Sequence, residues 1–513
     1  MNGKPISRQF FSSDLAILAY LALAKLCIHF LTNGQYGYFR DEFYFIACSE
    51  HLDWGYVDQP PLIAWQTYLT RMLLGESLFA LRFLPAVFGA VKVFLTGLMA
   101  RELGGGRFAQ ILAALAAIIA SVFMGIDSIL TMNALDQLLW VLAAYILIRL
   151  LKTENPKLWL WFGVVAGIGL MNKLSPLFFG FALVAVLLLT PNRKYVANKW
   201  LWLGGLIALV IFSPYLIWQI KHGWPTLEFY GTYAEGKTYP VSPLEFLGQQ
   251  ILTIHPHTLP LWLAGLYFYL FAQEGKPYRL LGWLYVTLYV LFTLQKAKFY
   301  FLSPAYPMLF AAGAMVFEKF IQQRQWNWAK PAAIVFLLLG LWAAPFAIPV
   351  LPVESFIKYA SAIGIGEVKT ERHAEGRLPQ TYADMHGWEE MVATVAKVYQ
   401  SLSPEDQAQA CISAGNYGEA GAIDFFGKKY GLPKAICGHN NYWHWGTRGC
   451  SGEVVIEVGG ELDGLKQIFE AVELVEVFKN DYAMPYENNL PIHVCRRLKM
   501  PVEEVWRLNR EYN

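Results

Sequence analysis

The first 350 residues are mostly apolar runs separated by short polar connections. A helix that crosses a bilayer needs roughly 17–25 mostly apolar residues, because nothing inside the membrane satisfies the backbone except the backbone itself. Candidate spans fall near residues 14–31, 78–100, 108–124, 132–151, 158–173, 175–190, 200–220, 256–272, 280–295, 302–318 and 331–350. They number about eleven, and the fifth and sixth are short for the purpose. Hydrophobic residues make up 56% of the chain and charged residues 16%, which excludes a water-soluble enzyme and indicates a polytopic membrane protein. Lys4 and Arg8 precede the first run without a small-residue cleavage site, so no cleavable signal peptide is expected.

The net charge of +2 says little, but its distribution orients the chain. With the N-terminus inside, the inner connections carry Lys4 and Arg8; Arg101 and Arg107; Arg149, Lys152 and Lys157; Arg193, Lys194 and Lys199; Lys276 and Arg279; and Lys319, Arg324 and Lys330. The outer ones carry fewer: Arg40, Arg71, Lys173, Lys221, Lys237, Lys296 and Lys298. This is the pattern expected when positive charge is retained in the cytoplasm. An odd number of spans then places the first acidic loop and residues 351–513 outside.

The expected organisation is a membrane domain over residues 1–350, with its first outer loop at 32–77, followed by a soluble α/β domain over 351–513. Val392–Leu402 reads as an amphipathic helix, Ala410–Gly415 as a strand, and the segment ending at Gly431 as a turn and helix. Glu453–Val458 and Pro491–Leu498 read as further strands. There is no internal repeat and no low-complexity segment. Cys411, Cys437, Cys450 and Cys495 fall in this domain, while Cys27 and Cys48 belong to the membrane part. In an oxidising compartment four thiols suffice for two disulfides, with Cys437–Cys450 the preferred pair; free buried thiols are the alternative. Cys437, His439, His444 and Cys450 also suggest a zinc site, although the spacing is not a standard one.

Directly after the first apolar run lies Tyr36–Leu62, YGYFRDEFYFIACSEHLDWGYVDQPPL. Asp41, Glu42, Glu50, Asp53 and Asp58 are interleaved there with aromatics, which suits a loop on a membrane surface with rings at headgroup depth. Two adjacent carboxylates beside a bilayer point to a site that holds a divalent metal or removes a proton from a hydroxyl.

Arg40-Asp41-Glu42, followed by Asp58-Gln59-Pro60-Pro61-Leu62, resembles the first external loop of membrane glycosyltransferases of GT-C architecture. Within them it is most similar to the glycosyltransferase 39 group, the protein mannosyltransferases and lipid A aminoarabinose transferases. The resemblance covers roughly residues 14–320 and is silent on substrate. It implies a polytopic α-helical GT-C membrane fold with a C-terminal extracytoplasmic α/β domain, in the inner membrane of a bacterium. It also implies a polyprenyl-phosphate-linked sugar as donor, a hydroxyl of a lipid, protein or glycan as acceptor, and inversion at the anomeric carbon. The bilayer is the remaining partner, and no nucleic acid is expected.

Residue roles follow from the same resemblance. Asp41 is the expected base, with Glu42 as its neighbour or as co-ligand of a divalent metal (Mg or Mn); the structural alternative is that Asp41 caps a helix beginning at Glu42. Asp58 supports the loop. Relatives carry an aspartate after a threonine where this chain has Thr131-Met132-Asn133, flanked by Asp127 and Asp136. Asn133 retains a carbonyl for that place. Asp136 in an apolar helix would cost roughly 2.5–3.5 kcal/mol at the membrane centre, so it is expected to line a polar cavity. Asp127 is either part of the site or a solvated loop residue. Lys173, and Lys296 with Lys298 before Tyr300, are expected to bind the donor phosphate, with interfacial snorkelling as the alternative. Ser213–Gly231 is expected to anchor a loop through Trp218 and Trp224, and His255 and His257 to be structural. Asn416 at a helix start suggests an anion site, and Gly438–Gly446, GHNNYWHWG, a glycan surface or aromatic packing.

Two other classes compete with a transferase. A transporter or flippase of lipid-linked sugars usually shows internal repeats and ionisable groups at mid-membrane, and neither is evident. A non-catalytic assembly factor does not account for carboxylates and lysines gathered at one membrane face.

Overall fold

The computed structural model describes residues 13–236, 241–364, 371, 372, 374 and 376–513. Lys4, Arg8 and Lys237 of the charge argument lie outside them. The chain divides into two compact units. One comprises Met1–Gly34, Phe79–Ile217 and Tyr239–Pro352; the other comprises Gln35–Leu78, Trp218–Thr238 and Val353–Asn513. The first outer loop is therefore counted with the C-terminal region.

The first unit is helical. Among the described residues six helices have the length and composition to cross a membrane: Asp14–Thr32, Leu78–Glu102, Met132–Thr153, Lys199–Lys221, Phe299–Arg324 and Ala329–Phe346. Arg107–Ile119, Leu158–Asn172 and Pro176–Leu189 are apolar but shorter. Leu259–Leu270 and Arg279–Leu294 occupy the two remaining apolar windows. The run at 108–124 is broken where Ala120 turns extended (φ −59°, ψ 113°), with no proline or glycine to announce it. The alanine-rich helix Arg107–Ile119 is buried on almost every side, as expected of a helix apolar all round.

Between apolar helices the solvent offers no hydrophobic drive, so close packing must hold them, and small residues permit it. A Cβ on Gly265 would lie 2.1 Å from the Leu309 carbonyl oxygen, and one on Gly313 would lie 1.8 Å from that of Leu261. Helices Leu259–Leu270 and Tyr306–Arg324 thus touch backbone to backbone. Gly163 and Gly204 do the same for Leu158–Asn172 and Lys199–Lys221.

The second unit contains a four-stranded sheet, β1 (Ala410–Ala414), β2 (Val454–Val458), β3 (Phe469–Phe478) and β4 (Leu490–Leu498), in the order β1-β2-β4-β3. β1 runs parallel to β2, and β4 is antiparallel to both β2 and β3. Three of these strands match the sequence reading. β3 escaped it because an edge strand exposed along most of its length carries no buried alternation. The amphipathic helix extends over Trp388–Ser401, and a further helix covers Tyr417–Phe426. The loop helix Arg40–Glu50 packs on this layer through Phe43, whose ring meets those of Trp388, Phe425 and Phe426 at 5.7–5.9 Å.

The preferred disulfide is corrected. Cys411 pairs with Cys450, their Cα atoms 5.7 Å apart, while Cys437 and Cys495 are free and buried. Cys411 on β1 faces the residues around β4 and the loop before β2, a neighbourhood set by strand pairing rather than by sequence distance. Cys450 is consequently not available to the suggested zinc site, and no group of three His, Cys, Asp or Glu is gathered for a metal among the described residues.

Candidate functional site

In the second unit the helix Arg40–Glu50 begins with Asp41 in its first turn. The capping role falls to its neighbour: Glu42 is buried and its Oε2 accepts the Phe39 N–H at 2.8 Å. Asp41 is therefore not the cap and stays 30% exposed. Its Oδ1 accepts the Tyr417 hydroxyl at 2.8 Å and lies 3.6 Å from Arg40 Nε.

The groups around this carboxylate form a dense polar cluster. Arg40 Nη1 donates to the Tyr486 hydroxyl at 2.7 Å, and its guanidinium lies 5.5 Å from the Tyr417 ring centroid. The Tyr486 hydroxyl in turn donates to Asp384 Oδ1 at 3.3 Å. Burial alone would lower the Arg40 pKa, but the surrounding acidic groups hold it above the usual value. Burial pushes Asp384 up to about 7 against the pull of Arg40, assisted by Asp41 and Glu487. The Tyr417 hydroxyl is raised by burial, with Asp41 adding to the effect. Beneath them Glu419 and Glu487 are both raised, chiefly by burial, and Asn416 Nδ2 donates to each at 3.0 and 2.9 Å.

The remaining residues of the loop brace it. Asp58 Oδ1 accepts the Tyr44 hydroxyl at 2.8 Å, and Asn441 accepts from Val57 N at 2.7 Å. Trp218 Nε1 donates to Asp53 Oδ2 at 2.8 Å, while Thr226 donates to the Tyr56 carbonyl at 3.3 Å. Ser213–Gly231 thus anchors the loop as expected. The Asn416 anion site is not present: the Gly418 and Glu419 amides are taken by Asn416 Oδ1, and Gly415 N–H by Glu419. In GHNNYWHWG, His439 to Tyr442 are buried and Trp445 stacks on His51 at 4.4 Å, so most of that segment is packing.

In the first unit Lys173 donates to Asn133 Oδ1 at 2.5 Å. Thr131 caps the helix that carries Asn133, which fixes the side chain's direction. The Lys173 ammonium lies over the rings of Phe301 and Tyr300 at 4.7 and 5.3 Å, which ties it to the turn after Lys298. Asp136 is buried and accepts the Ser175 hydroxyl, two residues beyond Lys173. Lys296 is exposed at a left-handed position (φ 52°), and Lys298 is half-buried. His255 is structural: its ring bonds the Gly340 carbonyl at 2.8 Å.

Asp127 is not a solvated loop residue. It is fully buried, with Lys92 Nζ 2.8 Å from Oδ1 and Lys25 Nζ 3.2 Å from Oδ2, both lysines also at 0% exposure. Lys92 continues to Gln137, which donates to Ser303 Oγ at 2.9 Å. Lys25 and Lys92 were overlooked, although a lysine inside an apolar run is the signal that calls for a buried partner. Tyr417, Tyr486 and Asp384 were missed for a different reason, because their partners are brought together only by folding.

A divalent cation prefers six or more oxygen ligands and surplus negative charge. Asp41 has an arginine beside it and Glu42 is spent on the helix start, so this donor set does not fit one.

A family model described as dolichyl-phosphate-mannose-protein mannosyltransferase matches residues 58–218. Lipid A galacturonosyltransferase RgtD of Rhizobium johnstonii is 24% identical over 314 residues, 60% of this chain and 60% of that protein. The fold is similar to that of ArnT from Cupriavidus metallidurans bound to undecaprenyl phosphate, with TM-score 0.61 and 13% identity over 95% of this chain and 98% of that one. The apo form of ArnT matches with TM-score 0.60 and 14% identity over 94% and 97%. The chain is thus similar to membrane glycosyltransferases in residues 58–218 and shares the fold of ArnT. The ArnT-like fold includes the mostly helical membrane part, and the small sheet follows it in the chain.

Proposed function

We propose that this chain is a glycosyltransferase that moves a sugar from a polyprenyl phosphate to an acceptor hydroxyl, with inversion, at the outer face of a bacterial cytoplasmic membrane. About eleven spans, with the C-terminal region outside, belong to the same proposal and are supported by the charge pattern. The observation that carries it is Asp41, a partly exposed carboxylate with one oxygen held by Tyr417. ArnT was crystallised with undecaprenyl phosphate, and that donor chemistry is carried over here.

In the proposed reaction the acceptor oxygen bonds to the anomeric carbon as the carbon–oxygen bond to phosphate breaks. The hydroxyl proton goes to Asp41, and the bonding electron pair leaves with the polyprenyl phosphate. Arg40 and Tyr417 orient the base. Lys173, set by Asn133, and Lys296 and Lys298 are assigned to the departing phosphate as point charges. No step is routed through a metal.

One observation favours a transporter instead, the charged group Lys25–Asp127–Lys92 inside the membrane part. All three side chains are fully buried, however, and pair with one another. The test is turnover in nanodiscs with a panel of undecaprenyl-phosphate sugars, comparing wild type with Asp41→Asn. Release of undecaprenyl phosphate by wild type alone supports both enzyme and base. Equal release by both removes Asp41 from its role, and no release or binding returns weight to transport.

A further inference from the structure

We infer that the first unit carries a binding site for the phosphate headgroup of an anionic phospholipid, on the side that the charge pattern assigns to the cytoplasm. A cavity of about 630 Å³ opens there, lined by Lys194, Lys276 and Arg279 and by one carboxylate, Glu154. Three separate connections supply these groups, those after Thr153, after Leu189 and before Arg279. All three belong to the set that carries the inner positive charge.

The charge does not balance within the protein. Glu154 is committed to Lys194 at 3.2 Å. Lys276 and Arg279 have no acidic partner among the described residues. The Arg279 Nε–H is buried without an acceptor among the described residues, and the side chain lines the cavity. The walls then choose among anions. Leu189 is 86% exposed and Trp283 49% exposed at the same cavity, the first an aliphatic surface and the second a ring suited to headgroup depth. A free phosphate has no use for such walls, whereas a lipid lays its acyl chains along them. Basic pockets between membrane helices on this side are recognised sites for anionic headgroups. The site stands apart from the residues assigned to sugar transfer and does not depend on that reading.

The test is native mass spectrometry of the full chain in detergent, titrated with phosphatidylglycerol, phosphatidylcholine or inorganic phosphate. Phosphatidylglycerol is expected to bind at least about tenfold more tightly than phosphatidylcholine. Lys276→Gln with Arg279→Gln is expected to weaken it between about tenfold and thirtyfold, at roughly fivefold per cation. Arg193→Gln, which removes a charge outside the cavity from the connection that carries Lys194, is expected to change it less than about twofold. Thr287→Trp fills the cavity without altering charge and is expected to abolish binding even if the double variant fails to fold. Equal binding of the two lipids overturns the proposal. So does a double variant that matches Arg193→Gln, or displacement of the lipid by equimolar inorganic phosphate. Undiminished sugar transfer by the lipid-binding variants keeps this result separate from the test of Asp41.

Discussion

Removing the carboxylate of Asp127 should cost more stability than any other single polar change in the membrane part. One carboxylate faces two ammonium groups there, at 2.8 and 3.2 Å, which leaves one positive charge in surplus, and all three side chains are at 0% exposure. At an effective dielectric of about 20, each contact at that distance is worth roughly 5 kcal/mol of attraction, most of it spent on taking the charges out of water. Asp127→Asn keeps the shape and removes the attraction, so two buried cations are left to repel each other. The expected loss is about 3–5 kcal/mol. The lysines are unequal. Lys92 also donates to Gln137 and lies 4.4 Å from the Phe123 ring centroid, whereas the Lys25 ammonium makes no hydrogen bond. Lys92→Met should therefore cost about 1–3 kcal/mol by stranding its acceptors. Lys25→Met removes the surplus positive charge and should fall within about 1 kcal/mol of wild type. Reversible unfolding in mixed dodecylmaltoside and SDS micelles measures all three. An Asp127→Asn protein as stable as wild type would refute the reasoning, as would a Lys25→Met change costlier than Lys92→Met.

Tyr417→Phe should lower kcat/KM about tenfold with KM little changed, the loss of one hydrogen bond to the proposed base Asp41, as measured in the undecaprenyl phosphate release assay. Cys411→Ser should destabilise the second unit by about 2–4 kcal/mol, since the bond closes a loop with a sequence separation of 39; matching melting curves with and without reductant would contradict this. Asp384, pushed up to about 7 from 3.8, keeps its proton in the folded state while the unfolded chain has lost it. Its contribution is thus complete below pH 4 and is lost as pH rises from about 4 to 7, by no more than about 4 kcal/mol. Melting of wild type minus Asp384→Asn between pH 5 and pH 8 isolates it, and a difference that grows with pH would have the wrong sign.

Much of the secondary structure was legible because its signals are local. Each apolar window contains a helix, and Thr131, Asn416 and Gly431 mark element ends as their residue types suggest. Asp41 and Glu42 could be singled out as a pair, and only the resemblance gave them different roles. The difference between them is that Glu42 reaches back to Phe39 while Tyr417 reaches Asp41 across 376 positions. Strand β3 and the break at Ala120 were illegible for want of periodicity in one case and of a breaker residue in the other.

The amino-acid order alone therefore determined the class of the molecule, since runs of apolar residues can satisfy their backbone in a bilayer only as helices, and the Arg40-Asp41-Glu42 and Asp58–Leu62 motifs carried the resemblance to membrane glycosyltransferases. Tertiary structure decided the partners. It chose Cys450 over Cys437 for Cys411, set two lysines on Asp127, and gave Asp41 its tyrosine. Helix and strand periods reach only three or four residues along the chain, whereas disulfides, ion pairs and hydrogen bonds depend on distances of a few ångströms between segments that only packing brings together.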